Sequence, residues 1–236
     1  MFDPPITFAH RGAKAYAPEN TLEAFELGLR LGATGLESDT WLTRDGVAVL
    51  DHDGVVRRRL GRNIPISEVL RDDLPDWIPT LADLYRRCGT EYHLSLDIRG
   101  GSGPAVIEVT RAEAPAMLER LWLCAGLNDL LPLRGQGAKL VNSTRLERIK
   151  EGPERRAATL AAEGIDAVNM HHTDWNAGLV ELFRRFGRVC FSWDLQHPHL
   201  LEAALRMGVD GVYSDYPDRM VDALLGRFGG DGPAAP

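Results

Sequence analysis

His10, Glu37, Asp39, His52 and Asp97 are residue types that move protons or hold cations, and all five fall within the first hundred positions. The stretch "FAHRG" (8–12) places His10 and Arg11 where an apolar run ends, with Gly12 after them. In "LESD" (36–39) the two acids stand two apart, so an extended strand projects Glu37 and Asp39 to one side. "SLDIR" (95–99) repeats that spacing with Asp97 and Arg99. Converging carboxylates make an oxygen-rich set suited to a hard divalent cation, Mg²⁺ or Ca²⁺. Unpaired, they would repel one another and raise a pKa, so a cation, or Arg11 and Arg99, must offset them. The alternative for such a group is a structural ion-pair network at the end of a sheet. Imidazole is the side chain suited to both giving and taking a proton near neutral pH, so His10 and His52 can serve as acid and base. With Arg11 and a cation on the phosphoryl oxygens and two imidazoles moving protons, the set describes phosphoryl chemistry.

Such residues need a frame that brings distant positions to one place. Short β-rich runs at 6–10, 35–39, 92–98, 120–124, 138–142, 166–170, 188–193 and 210–214 alternate with helix-periodic segments such as 80–88, 155–163, 177–186 and 200–207. That alternation predicts an α/β fold, a (β/α)8 TIM barrel, whose chemistry lies at the carboxyl ends of the strands. His10, the Glu37/Asp39 pair and Asp97 all fall at such ends. The run 47–52 leaves no room for a preceding helix, and Thr43-Arg44-Asp45-Gly46 reads as a tight turn. This run is therefore a hairpin insertion after the second strand, which returns His52 to the same mouth. Asn20 is expected to cap the first helix, with Glu23 completing a capping box. Residues 53–74, with Arg57, Arg58, Arg59 and Arg62, lack periodicity and read as an excursion near the site. One domain is expected over 1–228, with a flexible Gly/Pro/Ala tail at 229–236.

The 236 residues are 44% hydrophobic and 26% charged, which suits a globule with a substantial core. A net charge of −7 argues against a nucleic-acid partner. No apolar run reaches the roughly 18 residues of a membrane span, and the first residues carry no basic leader pattern, so a cytoplasmic location without membrane insertion is expected. Cys88, Cys124 and Cys190 are widely spaced and read as free thiols rather than as a zinc site or a disulfide framework. The sequence is silent on oligomeric state.

Six stretches together carry a resemblance: "HRG" (10–12), "PENT" (18–21), "GLESDTWLTRDGVAVLDHD" (35–53), "IPTLADLY" (78–85), "LSLDIR" (94–99) and "GVDGVYSDYPD" (208–218). In order and spacing the chain resembles the glycerophosphodiester phosphodiesterase family. The resemblance implies a barrel with Mg²⁺ or Ca²⁺ on Glu37, Asp39 and Asp97, His10 and His52 as catalytic acid and base, and Arg11 and Arg99 on the phosphate. It implies a small-molecule phosphodiester as partner, attack by the neighbouring glycerol hydroxyl, and a cyclic phosphate that water opens to glycerol 3-phosphate. Two positions depart from the common pattern, Asp97 for Glu and Arg99 for Lys; the first shortens the ligand by one methylene, the second replaces a point charge by a fork. Asp at 97 is also shared with the related sphingomyelinase D enzymes, which makes a cyclising, phospholipase D-like activity on lysophospholipids the second reading. A barrel that binds phosphodiesters without turnover is the third.

The same resemblance puts Trp193 on the glycerol side. His171, His172 and Asp174, after the sixth strand, are expected on the alcohol side. Asp215 has two readings, contact with the site or a cap on the last helix, of which the cap is expected; Glu19 and Asn20 are expected to fix the first loop.

Overall fold

The structure is a computed structural model that describes residues 2–57 and 61–228. The tail expected at 229–236, and Arg58 and Arg59 of the arginine-rich loop, lie outside the described residues. In chain order the strands are β1 (Ile6–His10), β2 (Gly35–Leu42), β3 (Ala48–Leu50), β4 (Val55–Val56), β5 (Ile64–Pro65), β6 (His93–Ile98), β7 (Leu121–Ala125), β8 (Lys139–Ser143), β9 (Ala167–His171), β10 (Val189–Trp193) and β11 (Gly211–Ser214). The helices are α1 (Leu22–Arg30), α2 (Leu81–Cys88), α3 (Gly103–Glu113), the single turn α4 (Leu127–Leu130), α5 (Pro153–Ala162), α6 (Ala177–Arg185), α7 (Pro198–Met207) and α8 (Pro217–Phe228).

Eight strands pair in parallel in the order β1-β11-β10-β9-β8-β7-β6-β2, and β2 pairs again with β1 to close the ring. The eight predicted runs are these eight strands, and the fold is a (β/α)8 barrel. Inside the ring, Phe8, Trp122, Phe191 and Tyr213 form a buried aromatic plug, with Phe8 stacked on Tyr213 at 4.5 Å between ring centroids. Room for the plug depends on a missing side chain: a Cβ on Gly35 would sit 2.6 Å from the Phe8 ring. A larger apolar layer, which includes Phe25, Leu81, Leu84, Leu160, Phe183 and Leu205, lies between the strands and the helices.

The hairpin forms as expected. β3 runs antiparallel to β2 with Trp41 opposite Val49, and Gly46 supplies the positive φ of the turn. Residues 53–74 contain structure that the sequence reading lacks: β4 and β5 pair as a ribbon, and Ile66 and Leu74 bury against Val49 and Ile78.

The cap of α1 differs from the expectation. Thr21, in extended backbone, accepts from the Ala24 N–H at 3.2 Å, one residue after Asn20. Asn20 is in left-handed backbone with φ of 58°, which an N-cap does not use, and its buried Oδ1 accepts from Ser38 Oγ at 2.7 Å. Asn20 thus ties the first loop to β2, while capping passes to its neighbour.

Candidate active site

The carboxyl ends of the strands surround a cavity of about 680 Å³, lined on one side by His10, Arg11, Glu37, His52, Asp97 and Arg99. Register explains the gathering. His10 lies opposite Glu37 across the β1–β2 pair, and Asp39 lies opposite Asp97 across the β2–β6 pair. Side chains two apart on β2 and β6 share the inner face, so parallel pairing stacks these acids at one mouth. Arg11 and Gly12 follow β1 in left-handed backbone, with φ of 52° and 77°. Only glycine fits the second position, since a Cβ there would come within 2.5 Å of the Ala24 backbone. This turn lets the Arg11 backbone N–H donate to Glu37 Oε2 at 3.0 Å while its guanidinium donates to Glu19 at 3.0 Å.

Each imidazole is held through Nδ1. His10 Nδ1 donates to Asp215 Oδ1 at 2.5 Å, and His10 Nε2 stands 3.7 Å from Glu37 Oε2. His52 Nδ1 donates to Asp53 Oδ1 at 2.9 Å, and Asp53 in turn accepts from Arg57. Asp215 therefore does not serve as the helix cap expected of it. β11 pairs with β1 so that Ser214 lies beside Ala9, which places the next residue of each strand, Asp215 and His10, side by side. Gln196 accepts from the Asp215 N–H at 3.0 Å, and Lys14 approaches the other carboxylate oxygen at 3.8 Å. Burial alone would raise the Asp215 pKa, but the His10 bond and charge, with Lys14, outweigh it and hold the carboxyl below its usual range.

The acids show unbalanced negative charge. Burial, then Asp39 and Asp97, push the Glu37 carboxyl well above the usual range. Burial and then Asp39 push Asp97 up to about 7. Arg99 offsets part of this, donating to Asp39 Oδ1 at 2.9 and 3.1 Å and to Asp97 Oδ2 at 2.7 Å. Asp39 lies beneath Arg99, only 3% exposed, and Glu37 and Asp97 are the acids that reach the cavity. Desolvated carboxylate oxygens short of positive charge are the donor chemistry that a hard divalent cation satisfies, and of the three acids Glu37 and Asp97 present it to the cavity.

On the other side of the mouth the placement is mixed. Trp193 lines the cavity, with its ring edge-on to His171 at 4.5 Å. His171 and His172 are not among the cavity-lining residues. With Asp194 they form a cluster whose ligand atoms lie within 4.8 Å of one another, tighter than the predicted acids, and His171 Nε2 bonds Asp194 at 3.1 Å. Asp174 is spent on Arg145, accepting from its Nε at 2.5 Å. One site residue escapes the sequence reading, and a second, Asp215, is weighed there for the site but expected as a helix cap. Asp215 carries the strand-end signal that selected the other acids and was legible by it. Asn169 on β9 carried no signal, because a lone Asn in a strand is an ordinary residue.

Residues 10–94 match the model of the glycerophosphoryl diester phosphodiesterase family. The glycerophosphodiester phosphodiesterase of Caldanaerobacter subterraneus subsp. tengcongensis is 26% identical, with 95% of this chain and 99% of that protein covered. The crystal structure of the Thermotoga maritima glycerophosphodiester phosphodiesterase superposes with a TM-score of 0.80 at 25% identity, covering 92% of this chain and 97% of that one. A phosphodiesterase from Oleispira antarctica, solved in complex with the product sn-glycerol-3-phosphate, shares the fold with a TM-score of 0.79 at 21% identity, covering 93% and 96%. With the motif set running from β1 to β11 and the match extending over nearly the whole of these relatives, the chain is similar along its length to glycerophosphodiester phosphodiesterases, and its residues 10–94 carry the match to that family's model.

Proposed function

We propose that this chain is a divalent-cation-dependent phosphodiesterase that converts glycerophosphodiesters to glycerol 3-phosphate and a free alcohol, with residues 1–228 as one catalytic domain. The observation that carries the reading is the pairing of both imidazoles through Nδ1 with carboxylates, at a mouth also lined by Glu37, Asp97, Arg11 and Arg99. An imidazole anchored at Nδ1 keeps Nε2 for a substrate proton.

The residues divide the work as follows. Arg11 and Arg99 hold non-bridging phosphoryl oxygens; Arg11 Nε, buried and without a protein partner, is a donor kept for such an acceptor. One imidazole takes the proton from the neighbouring glycerol hydroxyl as its oxygen bonds to phosphorus. The other protonates the departing alcohol oxygen as its bond to phosphorus breaks. The roles then reverse: water gives a proton to the second imidazole as its oxygen bonds to phosphorus, the ring bond from phosphorus to the attacking glycerol oxygen breaks, and the first imidazole returns its proton to that oxygen, so both recover their starting protonation. A Mg²⁺ or Ca²⁺ ion held by Glu37, Asp39 and Asp97 would supply charge neutralisation at the phosphoryl group.

Phosphorus NMR of a glycerophosphodiester digest, with and without EDTA, tests this. Glycerol 3-phosphate is expected, and chelation is expected to stop its release. A cyclic phosphate that persists would favour the phospholipase D-like reading, and full turnover in EDTA would remove the cation from the mechanism.

A further inference from the structure

The wall of the cavity facing the acids is built differently. Counting round the ring, β9 stands four places from β2 in either direction, so it lies diametrically across the barrel from the strand that carries Glu37 and Asp39. Asn169 lies two residues after Ala167, which is part of the interior plug, and opposite Phe191, so its side chain points inward. It lines the cavity, is 94% buried by its 6% exposure, and its Oδ1 has no hydrogen-bond partner. A buried carboxamide oxygen without a partner carries an uncompensated desolvation penalty, so its retention calls for a ligand.

Among the described residues, two that line the cavity carry a buried side-chain atom without a partner: Arg11 at Nε and Asn169 at Oδ1. One is a cationic donor beside the catalytic set, the other a neutral amide on the opposite wall. Their complement is a ligand with a phosphoryl group at one end and a hydroxyl at the other. A hydroxyl both donates and accepts, so it suits either end of a carboxamide that turns about its last bond.

We propose that Asn169 is a specificity-determining residue, which takes a hydroxyl of the glycerol moiety while Arg11 Nε takes a phosphoryl oxygen. This inference rests on the phosphodiesterase reading above. It commits to the glycerol end, because a fixed and buried group suits the part that every glycerophosphodiester shares. The variable alcohol suits the exposed rim, where Asp129 and Arg148 line the opening.

The test measures calorimetric binding of sn-glycerol 3-phosphate and of propyl phosphate, which lacks both hydroxyls, at saturating Mg²⁺. The unmodified protein is expected to prefer glycerol 3-phosphate, and Asn169→Leu, of similar shape, is expected to lose about tenfold of that preference with little change toward propyl phosphate. Thermal unfolding is a second readout. Removing an unsatisfied buried amide is expected to raise the Tm of Asn169→Leu by about 2–4 °C. An undiminished preference in Asn169→Leu, or a lower Tm showing that the amide is satisfied in the free protein, would overturn the assignment; Asn169→Ala repeats the binding arm if the Leu variant does not fold. Failure of the unmodified protein to bind either phosphate would instead bring down the phosphodiesterase reading, and this inference with it.

Discussion

His10 and His93 stand at opposite ends of the barrel, and their surroundings are inverted. His10 closes β1 with Asp215 on Nδ1 and Glu37 near Nε2. His93 opens β6, where its Nδ1 accepts from the Trp122 indole N–H at 3.2 Å. Burial first, and then the charges of Arg120 and Lys139, push the His93 pKa down to about 4. Burial, an indole donor and two cations expel a proton from the His93 imidazole. The same residue type therefore faces carboxylates at the cavity on one end and packs against an indole on the other, and the end of the strand on which it sits decides which.

The largest effect expected from this contrast is at the carboxyl-terminal mouth. His10→Ala and His52→Ala should each lower kcat/KM by about 10² to 10⁴ with little change in Tm. Near-normal turnover in either variant would erase the distinction between the two ends. Asp215→Ala should cost about 10- to 100-fold in kcat at similar KM, by releasing the His10 ring, and Asp215→Asn, which keeps an acceptor at the same place, should recover part of it. If Asn and Ala are equally poor, orientation is not what Asp215 supplies.

Asp53 sharpens the comparison within the mouth itself. It is the residue next to His52 and is more exposed than Asp215, with 36% of its side chain accessible against 21%. An exposed pair contributes little, so Asp53→Asn should lower kcat only about two- to fivefold. A loss as large as that of Asp215→Ala would show that solvent does not screen this pair.

The smallest catalytic effect is expected at the other end, where His93→Gln should leave kcat unchanged and alter only the pH dependence of stability. The folded-state pKa of about 4 lies below the ordinary 6.5, so between these values the unfolded chain binds a proton that the folded protein refuses. Stability from this group is thus complete above about 6.5 and falls as the pH drops toward about 4. Glutamine keeps an acceptor for the indole but does not titrate. Denaturant titrations between pH 4 and 7 should show a shallower decline for His93→Gln, and an identical slope would exclude His93 as its source.

Local signals made much of this legible. The eight runs were readable because each strand is a short apolar stretch set off by turns and helix-periodic segments, and the hairpin because Asp45-Gly46 leaves no other route. The acids on β2 and β6 were readable because a period of two puts alternate residues on one face. The α1 cap was misplaced by one residue because Asn20 and Thr21 are both good caps, and only the left-handed backbone at Asn20 separates them. His171 and His172 follow their strand as the others do, yet they turn toward Asp194 instead of lining the cavity.

Residue type and spacing by themselves determined the strands, the mouth at which chemistry is placed, and the identities of the acids, arginines and imidazoles there. Tertiary structure alone decided the partnerships: Asp215 on His10 across 205 positions, Arg99 forked between Asp39 and Asp97, and Asn169 left unpaired across the cavity from them. The reason is that strand periodicity is a property of neighbouring residues, whereas the closure of β11 on β1 and the span of the ring are set by the packing of the whole chain, which no local pattern encodes.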